Sequence, residues 1–118
     1  MASEIRITST MRYAKDQAAA SLTTSFTVDQ IGSKFESGIQ TVGTTEEVLV
    51  KNDVGTIGYI SARNNDATNF VQLGAAAGEY SLHLKAGEGV SGLPWQASNV
   101  YAKSNVAPCD VEYLLIET

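Results

Sequence analysis

Residues 79–92, EYSLHLKAGEGVSG, hold the single histidine of the chain. His83, Lys85 and Glu88 fall where a metal-carrying strand has its ligands. Such a strand places two imidazoles one residue apart and a carboxylate a few residues on, with glycines at the turns. Metal ligands converge where water is limited, so in a small β domain they point inward. Here Tyr80, Leu82 and Leu84 take the inward parity, and Ser81, His83 and Lys85 take the other. The place of the second imidazole holds Lys85, whose cation repels a metal. The segment therefore reads as a strand with an outward histidine before a Gly-Glu-Gly turn, and no metal is expected.

The other reactive residues read the same way. Cys109 lies between Pro108 and Asp110, whose charge raises a thiol pKa. It is the sole cysteine, so no intrachain disulfide forms. A structural thiol at the start of the last strand is expected. Glu46 and Glu47 are adjacent, so in a strand they face opposite sides and make no catalytic pair. RNNDATN offers oxygens from Asn64, Asp66 and Asn69, but too few carboxylates for a calcium loop, and reads as an Asx-type turn. GEGVSG runs into Pro94 and Trp95 rather than a helix, so it is no phosphate loop. No catalytic, cofactor or metal residue is assigned, and the chain reads as a non-enzyme. Trp95 reads as a lid closing one end of the domain or, because tryptophan is enriched in interfaces, as a subunit contact. Ile5, Ile7, Trp95 and Tyr101 are the candidate interface residues.

Short strands must carry these positions. In EIRITSTMRY, Ile5, Ile7, Met11 and Tyr13 share one parity and Arg6, Thr8, Thr10 and Arg12 the other. KDQAAA is a loose connection. SLTTSFTVDQI alternates again, with Leu22, Phe26 and Val28 inward, so the two segments read as a long hairpin or as neighbouring strands. GSKFESGIQTVG reads as an irregular crossing. A short strand at Val48–Val50 and a turn at Asn52-Asp53 follow. TIGYISARNND and DVEYLLIET are apolar on both parities, as strands covered on both faces are. The spacing predicts further strands in TNFVQLG, EYSLHLKAG and NVYAKS. No stretch has helical periodicity. This pattern predicts an all-β chain: one antiparallel β-sandwich, jelly-roll-like or Ig-like, with little or no helix. Residues 1–118 form one domain, and residues 1–14 are expected to be an N-terminal strand or arm that pairs with a neighbour.

Composition narrows the partners. The net charge is −5 and no two basic residues are adjacent, which disfavours nucleic acid. No apolar run is long enough for a membrane helix. MASEIRITST lacks the basic start and apolar middle of a signal peptide, so synthesis in a reducing cytoplasm is expected.

GIQTVGTTEEVL, GYISARNNDATNFVQLG, YSLHLKAGE and VYAKSNVAPCDVEYLLIE together resemble a recurring small structural protein of tailed bacteriophages. The similarity covers residues 38–117. It runs through a strand ending in RN, a TN-x-V-x-x-G segment, an L-x-L-K-x-G-E strand and turn, a YAK element and a final EYL strand. The resemblance implies a virion protein made in the host cytoplasm, with no catalytic residue. A capsid decoration (cement) protein fits best. Its partners would be the major capsid protein or other virion proteins and further copies of itself. A tail, collar or head–tail accessory protein is the alternative within that class. A carbohydrate-binding host-adhesion sandwich is the alternative outside it, with Trp95, Tyr101 and RNNDATN as its sugar contacts. A small cupin-like enzyme is disfavoured by the His83/Lys85 pattern.

Overall fold

The computed structural model describes residues 4–118. Two long strands come first, β1 (Ile5–Lys15) and β2 (Ala18–Val28). Then follow β3 (Phe35–Val42), β4 (Glu47–Val48), β5 (Ile57–Asn64) and β6 (Val71–Gly74). The chain ends with β7 (Leu82–Leu84), β8 (Gly89–Ala97), β9 (Tyr101–Ser104) and β10 (Cys109–Glu117). Among the described residues there is no helix.

Eight of these strands pair in a nested series. β3 pairs with β10, β4 with β9, β5 with β8 and β6 with β7, each antiparallel. The pairs lie side by side as two four-stranded sheets, ordered β3-β10-β5-β8 and β4-β9-β6-β7. A chain folded on itself in this way is a jelly roll. Of the two sandwich types the sequence allowed, the nested order selects the jelly roll over the Ig-like one.

The inner faces meet in an apolar core. β10 contributes Val111, Tyr113 and Leu115, β5 contributes Ile60 and Ala62, and the other sheet contributes Val71, Leu73, Leu84 and Ala102. β10 is central, between β3 and β5, as expected of a strand apolar on both parities. Two elements differ from expectation. Phe35–Val42 is a regular strand rather than an irregular crossing, and the glycine-rich segment at Gly89–Ala97 is an edge strand. Glycines at 38, 89 and 92 remove side chains from these runs and hide their alternation.

The Asn52-Asp53 turn is present. The Val54 N–H donates to the Lys51 carbonyl at 3.0 Å, and Asn52 takes a left-handed φ of 48°. The turn after the histidine strand also forms, with the Glu88 N–H donating to the Lys85 carbonyl at 2.9 Å. Gly87 supplies its φ of 80°, the value a type II turn needs at that position.

Candidate functional site

The feature that sets this jelly roll apart is its first hairpin. β1 and β2 pair along their whole length, from Ile5 opposite Val28 to Lys15 opposite Ala18. The link is therefore a two-residue turn, Asp16-Gln17, rather than the loose connection expected from KDQAAA. Asp16 makes it possible by adopting a φ of 56°, which a short polar side chain tolerates. One face is polar and laced across the strands: Thr10 Oγ1 lies 3.1 Å from Thr23 Oγ1, and Thr8 Oγ1 lies 3.3 Å from Ser25 Oγ. The other face carries Ile5 and Val28, Ile7 and Phe26, Met11 and Leu22, and Tyr13 and Ala20 as cross-strand pairs.

Only the base of the hairpin rests on the body. Ile5 and Ile7 are 4% and 8% exposed. Ile7 sits on Gly92, the Phe26 ring lies 6.2 Å from the Tyr59 ring, and Ser9 Oγ donates to the Ser91 carbonyl at 3.2 Å. Beyond that point residues 10–25 are exposed without a break. The apolar face continues all the same, with Met11 74% and Leu22 67% exposed. The radius of gyration is 15.2 Å, against about 13.5 Å for a compact chain of this length. A two-stranded ribbon with no third layer is marginal in water. Covering Met11 or Leu22 would stabilise it by about 1.5–3 kcal/mol each.

This placement corrects two of the candidate interface residues. Ile5 and Ile7 are buried within their own subunit and offer nothing to a neighbour. The same alternation carries on to Met11, Tyr13 and Leu22, and these are the exposed residues. The sequence contains the signal but not the point where the body ends.

A second open surface lies on the outside of the β3-β10-β5-β8 sheet. The hairpin base covers the part near Tyr59 and Ile116. The rest carries Phe35 and Ile39 on β3, 65% and 63% exposed. Beside them a shallow depression of about 440 Å³ is lined by Ser37, Ser61, Arg63, Glu112 and Leu114 among others. Arg63 Nη2 meets Glu112 Oε1 at 2.6 Å across its floor. The Asn65 hydrogen bond first, then the Arg63 hydrogen bond and guanidinium charge, hold the Glu112 carboxyl below its usual range.

The remaining candidates have local roles. His83 is exposed on the outer face of the other sheet, stacked on Phe70 at 4.1 Å between ring centres. Its neighbours Leu82 and Leu84 turn to the core, as the alternation predicts. Trp95 is partly buried against the core and donates its indole N–H to the Asn99 carbonyl at 2.9 Å. Tyr101 is half-buried opposite Val48. Cys109 is buried, and burial, then Asp66 and Asp110, push its thiol pKa up. Glu46 accepts from the Tyr80 hydroxyl and the Gly78 N–H, while Glu47 accepts from Gly43 and Gln40. The two carboxylates thus point apart.

The 64–69 loop is closed by its own backbone. Asn64 Oδ1 accepts from the Asp66 N–H at 2.9 Å, and Asp66 Oδ2 accepts from Thr68 and Asn69 at 3.0 and 2.6 Å. Those N–H donors, Asn69 before Thr68, hold the Asp66 carboxyl below its usual range. Gly89 pairs with Arg63 at one end of β5, and Ala97 with Ile57 at the other. The loop after Asn64 and the Trp95 end are therefore at opposite ends of the sheet, and the proposed sugar contacts do not come together.

No protein-family model matches the chain. No curated protein is similar to it, and no solved structure matches it.

Proposed function

We propose that this protein is a non-enzymatic structural component of a tailed-bacteriophage virion, a capsid decoration protein that binds and stabilises the assembled shell. The observation that carries the reading is the projecting arm. Residues 10–25 present an apolar face with nothing of their own chain to cover it. Such an arm has a use in an assembly, where a neighbour covers it. The sequence resemblance over residues 38–117 points to the same place of work. The jelly roll is compatible but not decisive, because capsid proteins, lectins and cupins share it.

The energetic logic is that of a cement. A protein that binds only the assembled state stabilises that state by mass action. Many copies on one shell turn modest single contacts into firm attachment. Mass spectrometry of washed, purified particles of the encoding phage tests the assignment. A high copy number, in proportion to the shell subunits, is expected. Absence from the particle would end the virion reading.

A further inference from the structure

We propose that the arm of one copy docks on the open outer face of β3 and β10 of a second copy of this chain. This concerns how copies hold one another and does not depend on which particle they serve. Each surface is apolar and exposed: Met11 and Leu22 lie side by side on the arm, and Phe35 and Ile39 on the sheet. The two surfaces do not meet within one chain, since all four residues are mostly exposed. The arm leaves its own body at β8, through Ser9 on Ser91, while Phe35 and Ile39 lie on β3. β8 and β3 are opposite edges of the same sheet.

Charge selects the partner. The arm, residues 10–25, holds Arg12 and Lys15 against Asp16, a local charge of +1 on a chain of −5, which leaves −6 on the rest. Two arms therefore repel each other, and an arm is attracted to the body of another copy. The acceptor face has an acidic residue in the right place. Asp110 is opposite Thr41 across the β3–β10 pair, next along β10's outer face from Glu112, whose carboxylate is already held by Arg63. Lys15 shares the face of Met11 and Tyr13 and would reach Asp110 once Met11 and Leu22 are seated, whereas Arg12 lies on the opposite face of the ribbon. An arm leaving one edge and an acceptor at the other make a head-to-tail contact, which forms a ring where the rotation closes and an open filament where it does not.

The test uses the full-length protein. Sedimentation should give an oligomer that loosens with added salt. Leu22→Glu and Ile39→Glu should each reduce it to monomer with an unchanged circular dichroism spectrum, since both side chains are mostly exposed. Cysteine cross-linking then locates the contact, and the buried native Cys109 stays out of the reaction. Leu22→Cys mixed with Ile39→Cys should give a disulfide-linked pair, and Leu22→Cys alone should not. A protein that is monomeric at every concentration, or cross-links through Leu22→Cys alone, overturns the proposal. Either failure leaves the particle copy number, measured separately, to decide the virion assignment.

Discussion

Ile7 lies on Gly92, and a β carbon at Gly92 would stand 2.2 Å from Ile7 Cγ2. Gly92 also holds a φ of 64°, in the left-handed region. The glycine is thus required twice: for its backbone, and for the seat it gives the arm. Gly92→Ala should destabilise the protein by about 2–4 kcal/mol, from left-handed strain plus overpacking. Denaturant unfolding measures this. A midpoint equal to that of the parent would mean that the arm base is not fixed by this contact.

Leu115 is fully buried on the central strand β10. Leu115→Ala should cost about 2–5 kcal/mol. Deleting residues 111–118 removes the strand that joins β3 to β5, so the shortened chain should show no cooperative melting. A cooperative transition in that deletion would contradict the central place of β10.

Shortening the arm separates its tip from its base. Replacing residues 10–23 by a two-residue turn removes only exposed positions. The melting temperature should change little, as for other surface changes. Removing residues 4–13 also takes away buried Ile5 and Ile7 and should lower it markedly. Equal melting of the two deletions would show that the base does not hold the arm to the body.

Much of this was legible in the sequence, and the gaps have physical causes. Alternation in EIRITSTMRY and SLTTSFTVDQI marks β1 and β2 because both are long and each has one apolar face. The outward His83 followed from the parity of Leu82 and Leu84. β8 was hidden because Gly92 gives up its side chain to receive Ile7, a demand from a residue far away in the chain. The nested strand order was hidden for a related reason: β3 pairs with β10 across most of the sequence, and no local pattern encodes that. The exposed tip was hidden because Ile7 and Met11 belong to one alternation, and only the folded body shows where cover ends.

Acid should loosen the protein from its last strand. Glu117 accepts N–H groups from Gly55 at 3.0 Å, Ser33 at 3.1 Å and Lys34 at 3.3 Å. The Gly55 bond foremost, with those from Ser33 and Lys34, holds its carboxyl below the usual range against a smaller opposing effect of desolvation. A carboxyl depressed in the folded state contributes stability that is present above its unfolded pKa and lost as pH falls through the folded one. Stability should therefore be level above about pH 5 and fall as pH drops below about 4. Glu117→Gln should make that fall shallower in melts taken across this range. An unchanged acid profile would remove Glu117 from the explanation.

The attachment of the protein to shells stripped of it tests the decoration reading most directly. Purified protein is titrated onto assembled shells and onto dissociated shell subunits, and the bound copies are counted. The account predicts saturable binding to the assembled shell at many copies per particle, a higher shell melting temperature, and no binding to free subunits. Equal binding to free subunits, or none to the shell, would contradict it.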